Sequence, residues 1–154
     1  MDPNQVQLFR QITLDYFAKL APNEPPRLEP PYLQFGDPAL LDFASLVEVR
    51  GEYDGCVYLT SPELLLRDLL AVHREPEVSE RTLDDMCREL SNVLSGNASQ
   101  AFGGNWRISV PHSVGPRELG GLKLPGSAFV MPFRWRGAVC LLVIGLEQRR
   151  AEDA

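Results

Sequence analysis

Apolar positions recur at steps of three and four over residues 4–20, NQVQLFRQITLDYFAKL: Val6, Phe9, Ile12, Tyr16, Phe17 and Leu20. That is the period of one helix face, so the segment predicts an amphipathic helix. The pattern stops at APNEPPRLEPPYL, which carries five prolines between positions 22 and 31. Proline lacks an amide donor and fixes φ, so residues 21–32 predict an extended, stiff connector. Over residues 44–60 the period changes to two. Val47 and Val49 alternate with Glu48 and Arg50, then GEYDG leads into Cys56-Val57-Tyr58-Leu59. This predicts a β-hairpin. Ser61-Pro62-Glu63 opens a helix that runs to about His73, with Leu65, Leu66, Leu69 and Leu70 on it. Ser61 is expected as its N-cap and Pro62 at its first helical position.

After the breaker REPEVSE, a second long helix is predicted from Ser79 to Phe102, ended by Gly103-Gly104. WRISVP predicts a short strand, and HSVGPRELGGLKLPG (112–126) a loop. AFVMPFRW, Arg136-Gly137 and AVCLLVIGL form a second hairpin. Its last strand is apolar on both faces and is expected at the centre of a sheet. Pro132 cannot donate to a ladder, so its strand is expected at an edge or a bulge. Residues 147–154 are charged and expected to fray. The order of elements predicts an α+β fold, with helices packed on a mainly antiparallel β-sheet. One domain covers 1–154, with its main body at 33–146.

The long helix poses a question. At about 100° per residue, Leu83, Met86, Cys87, Leu90, Val93, Leu94 and Ala101 fall in one apolar stripe. Asn97 falls within that stripe and reads as a buried amide. Glu89 lies on the flank and Asn92 nearly opposite, one turn apart, with Asp85 one turn earlier on the same face. Gly96 projects between them one turn later, where glycine costs roughly 1 kcal/mol relative to alanine. An exposed acid and amide are usually just solvated. A glycine beside them is expected either to pack against a neighbouring helix or to allow close approach by something else.

Composition narrows the field. The chain has 154 residues and a net charge of −6 at pH 7. The densest basic spots are only pairs, Arg134 with Arg136 and Arg149 with Arg150, and the net charge is negative, which argues against a nucleic-acid partner. The longest apolar run, GAVCLLVIGL, is short of the roughly 20 residues a membrane helix needs. No signal peptide is evident, and a cytoplasmic location is expected. Cys56, Cys87 and Cys140 sit in apolar patterns without a CxxC, so they read as reduced packing residues. His73 and His112 have no partner at zinc spacing, so no metal site is expected.

The segment CRELSNVLSGNASQAF resembles the signature helix of the CheC/CheX family of chemotaxis phosphatases, E-x-x-N followed by glycine four residues on. Glu89, Asn92, Gly96, Asn97 and Ala98 match in register. GEYDGCVYLTSPELLLRDLL, ISVP and FVMPFRWRGAVCLLVIGL resemble the family's flanking elements, so the likeness spans most of residues 41–146. No other glutamate has asparagine three residues later, which is similar to the single-site CheX pattern rather than to CheC with two. The Pro-rich connector departs from the family's pattern.

This resemblance implies a phosphatase acting on the aspartyl-phosphate of a CheY-like receiver domain of a response regulator. Asn92 would position the attacking water, and Glu89 would make a docking contact to the receiver's lysine. Asp85 and Gly96 would be partner contacts, Gly96 letting the helix enter the receiver's site. No cofactor of its own is implied, since the receiver brings Mg²⁺. A homodimer is also implied, with AFVMPFRW as the candidate edge strand. The alternatives are a non-catalytic receiver-binding module and a flagellar or chemotaxis assembly module of the same fold.

Overall fold

The computed structural model describes residues 3–125 and 128–149. Its sheet is antiparallel throughout the described residues. The strands are β1 (Arg27–Leu28), β2 (Tyr32–Leu33), β3 (Phe43–Gly51), β4 (Tyr53–Ser61), β5 (Trp106–Ile108), β6 (His112–Ser113), β7 (Phe129–Trp135) and β8 (Ala138–Gln148). Their order is β1-β7-β8-β4-β3-β5, with β2 also on β7 and β6 also on β3. Three helices, α1 (Pro3–Leu20), α2 (Glu63–Val72) and α3 (Glu80–Ala101), supply the core on one face. The predicted α+β fold is therefore the observed one.

Both faces of the central strands are buried, which explains why β8 is apolar on both sides. On the helix face, Val47, Val57, Ile144 and Phe129 lie in cross-strand register. On the other face Leu46, Tyr58, Val143 and Val130 do so. Leu119, Leu40, Val114 and Leu124 cover this second row. The predicted 112–126 loop thus carries structure: β6 and a one-turn helix, α4 (Pro116–Gly120), whose Leu119 is buried.

Three local expectations are corrected. Ser61 is the last residue of β4 and its hydroxyl bonds the Pro62 carbonyl. Pro62 is the N-cap of α2 without a side-chain cap, and Asp42 instead accepts from the Glu63 amide at 2.8 Å. The strand carrying Pro132 is not an edge, because β1 and β2 pair along its outer side. The proline is tolerated for a visible reason. Its carbonyl accepts from Glu29 on that outer side, so its missing amide points the same way. It would face the Glu29 carbonyl, which accepts from Arg10 Nη1 at 2.9 Å instead, so the ladder donor the proline lacks is replaced by a side chain. The Pro-rich connector is extended as predicted, and it also supplies this outer strand. Finally, β8 continues through Gln148, and the Arg149 amide donates to Glu52 at 2.8 Å, so 147–149 are not frayed. Residues 150–154 lie outside the described residues.

The chain turns tightly between β3 and β4. Gly55 has φ +143°, and a Cβ there would sit 1.9 Å from the Gly145 carbonyl oxygen of β8. Only glycine allows this approach of the two backbones.

Candidate functional site

Helix α3 begins where the sequence places it. Ser79 is the N-cap, accepting from the Thr82 amide at 3.2 Å, while the Thr82 hydroxyl accepts from the Ser79 amide at 2.9 Å. At the other end Gly103 and Gly104 have φ +90° and +73°, and the Gly104 amide closes onto Ser99 at 2.9 Å. Between these caps the helix packs against α1, α2 and β3.

Its buried side holds Leu83, Met86, Cys87, Leu90, Leu94 and Ala98. Ser91, Ser95 and Ser99 are buried with them, and Ser99 donates to the Trp106 carbonyl at 3.2 Å. Small side chains here let the helix lie close to the sheet. The apolar stripe read from the sequence is therefore rotated. Val93 is half-buried, Ala101 is exposed, and Asn97 is exposed rather than a buried amide. Neighbouring elements decide this: Val93 and Asn97 line a groove between α3 and α1, with Tyr16 and Leu20 on its other side.

The opposite face carries the candidate residues. Glu89, Asn92 and Asp85 are exposed. Asp85 is engaged by Arg88 one turn on, and Arg88 also reaches Asp84 at 3.5 Å. Asp84 in turn accepts from the Ser113 hydroxyl at 2.6–2.7 Å, fastening α3 to β6. Glu89 and Asn92 have no hydrogen bond or ion pair among the described residues. An acid and an amide one turn apart thus stand free to meet another molecule.

Gly96 lies beside them, half-buried. An ideal Cβ there would meet only Ile108 Cδ1 of β5, at 4.0 Å, an ordinary contact. The protein's own packing does not require glycine at this position.

The face borders α1. Burial pushes the Tyr16 phenol up to about 12, and the negative charge of Glu89 adds to the shift. The two groups lie in each other's field. Between α1 and α3 is a cavity of about 310 Å³ lined by Asp15, Tyr16, Lys19, Leu20, Val93 and Asn97. Sequence reading assigned none of the α1 residues to a site, because Tyr16 and Leu20 fit the helix's apolar register.

A larger cavity, about 730 Å³, lies elsewhere, among Asp42, Glu80, Arg81, Asp84, Ser113 and Glu118. Three of its carboxylates have structural duties. Asp42 caps α2, Asp84 holds Ser113, and Glu118 accepts from the Gly115 amide at 3.0 Å. Among the described residues no three His, Cys, Asp or Glu side chains gather as a metal site. The cysteines are free and buried. Burial raises Cys56 to about 11 and Cys87 to about 12, and pushes Cys140 well above an ordinary thiol, so all three stay protonated at neutral pH.

Helices packed on one face of this antiparallel sheet make a fold shared with chemotaxis and flagellar proteins. The chemotaxis protein CheX of Desulfovibrio desulfuricans superposes with a TM-score of 0.77 at 16% identity, over 94% of this chain and 99% of that one. CheX of Borrelia burgdorferi, in a complex with CheY, BeF3 and Mg²⁺, superposes at 0.73 and 13% identity, over 94% and 98%. The FliM middle domain of Vibrio alginolyticus superposes at 0.58 and 12% identity, over 94% and 91%. None of the curated proteins matches the sequence. The family described as chemotaxis phosphatase CheX matches residues 43–127, and the chain belongs to that family. Among the described residues no helix is long and apolar enough to cross a membrane.

Proposed function

We propose that this protein hydrolyses the aspartyl-phosphate of a CheY-like receiver domain, with Asn92 and Glu89 as its working residues. The observation that carries the reading is the pair itself. Both side chains are exposed, one helical turn apart, free of intramolecular partners, and beside a glycine that the protein's own packing does not need. Family membership and the CheX–CheY complex among the structural neighbours support it.

The chemistry suits an amide. An acyl phosphate is already activated, and a receiver brings its own Mg²⁺ and lysine. The missing part is a water held in line with phosphorus. The Asn92 amide can donate to and accept from that water without placing a negative charge beside the phosphate. The water oxygen bonds to phosphorus as the bond to the aspartyl oxygen breaks. Inorganic phosphate leaves with the water's protons, and the aspartate is left as its carboxylate. Glu89 pairs with the receiver's lysine through a charge-assisted contact and sets the docking register. Gly96 lets the receiver's rim approach the α3 backbone, and Asp85, shared with Arg88, lies at the edge of the contact.

The test is dephosphorylation of purified phosphorylated receivers. Asn92→Ala should lower turnover by about 10²–10³, or roughly 2.7–4 kcal/mol, with receiver binding retained. Glu89→Ala should weaken docking as well, by roughly 2–5 kcal/mol. Wild-type turnover in the Asn92→Ala protein would remove the assignment. Receiver binding without turnover by the parent protein would favour a non-catalytic module, and indifference to both substitutions an assembly role.

A further inference from the structure

The four residues of the α3 face, Asp85, Glu89, Asn92 and Gly96, are too small a patch to hold a partner alone. A stable protein–protein contact covers roughly 800 Å² on each side. Any docked domain must therefore overhang the flanks of α3. On one flank is the groove between α1 and α3.

That groove adjoins the face directly. Val93 lies one turn beyond Glu89 on α3, and Asn97 follows Gly96. Tyr16 reaches over from α1 into the field of Glu89. The walls are apolar: Leu20, Val93 and the Tyr16 ring, which packs edge-on against Phe17. The rim is polar. Asp15 already accepts from Gln11 at 2.9 Å, whereas Lys19 and Asn97 have no hydrogen bond or ion pair among the described residues. At the end of α1 the Ala21 amide donates to the Phe17 carbonyl at 2.8 Å, and on the α3 wall of the groove Val93 is half-buried and Asn97 exposed.

We infer that the α1–α3 groove is a second docking subsite for the receiver, seating an aliphatic side chain of the partner that is flanked by a carboxylate, and that it sets which receivers are accepted. The inference rests on the function proposed above. The aliphatic group fills the space between Leu20, Val93 and Tyr16, and the carboxylate meets the unpaired ammonium of Lys19. Asn97 hydrogen-bonds backbone groups beside them. Because the groove lies to the side of Asn92, it contributes equally to the bound and the transition states. It therefore sets affinity and choice of partner, and not the chemical rate.

The experiment uses the full chain and a panel of purified CheY-like receiver domains. Binding is measured by calorimetry to receivers loaded with beryllofluoride, and turnover to the same receivers phosphorylated. Lys19→Glu reverses an exposed charge and Asn97→Trp fills the groove from an exposed position. Each should raise Kd and KM about tenfold with kcat little changed, and should alter the ranking of receivers. Lys19→Arg should restore wild-type values, and melting curves should match the parent. Unchanged Kd and KM in both variants, with Asn92→Ala inactive, would overturn the groove while leaving the phosphatase reading standing. Groove-dependent binding with turnover indifferent to Asn92→Ala would do the reverse. Failure of the wild-type protein to bind any of the loaded receivers would overturn both.

Discussion

Replacing Gly96 by alanine separates folding from function in one methyl group. The backbone at Gly96 is helical, and the added Cβ would meet only Ile108 Cδ1 at 4.0 Å. Nothing within the chain has to move, so the helix gains the difference in propensity, about 1 kcal/mol. For a protein of this size that raises Tm by roughly 2–4 °C. A receiver that docks against the α3 backbone meets the same methyl as a clash. Overpacking of a close contact costs about 1–3 kcal/mol, or roughly 5- to 150-fold in affinity. The variant should therefore melt higher than the parent while its KM for a phosphorylated receiver rises. Calorimetric melting and a dephosphorylation time course, on one preparation, read the two effects. A lower Tm would show that the protein's own packing uses the glycine. A higher Tm with unchanged KM would show that nothing approaches this face closely, and the docking geometry proposed here would be refuted.

Other substitutions test the frame around the site. Gly55→Ala should destabilise by about 2–4 kcal/mol, since it strains a positive φ and drives a methyl against the Gly145 carbonyl; chemical denaturation reads it. Leu90→Ala, at a fully buried position two residues from Asn92, should cost about 2–5 kcal/mol. Asn92→Ala should stay within about 0.5 kcal/mol of the parent in the same denaturation series. Glu24 is held below the ordinary carboxylate range by its hydrogen bonds to Arg136, at 2.6 and 2.8 Å. A depressed folded-state pKa means that the bridge contributes above the unfolded pKa and is lost as pH falls through the lower folded value. NMR titration of Glu24 should show that lower midpoint, and Arg136→Ala should return it to the ordinary range.

Much of the molecule is decided locally and is legible in the chain. Helix α3 starts at Ser79 and stops before Gly103-Gly104 because caps and left-handed glycines act on the nearest turn of backbone, whatever surrounds them. The facing of Glu89 and Asn92 away from the core follows from helical periodicity. The two-sided burial of β8 follows from its unbroken apolar run. Other features depend on which element lies beside which. Pro132 looked like a mark of an edge strand, yet β7 is covered, because the Pro-rich segment more than 100 residues earlier returns to pair along it, and the Glu29 carbonyl opposite the proline takes its hydrogen bond from Arg10. Asn97 has the helical angle of a core residue, yet it is exposed, because it lies on the open groove between α3 and α1. Asp42 caps α2 from 21 residues away in sequence, displacing the expected role of Ser61. Periodicity describes a helix or strand in isolation, and its angles are correct. Whether a given angle is buried depends on what the neighbouring elements cover, and that is settled only by contacts between residues far apart in the chain.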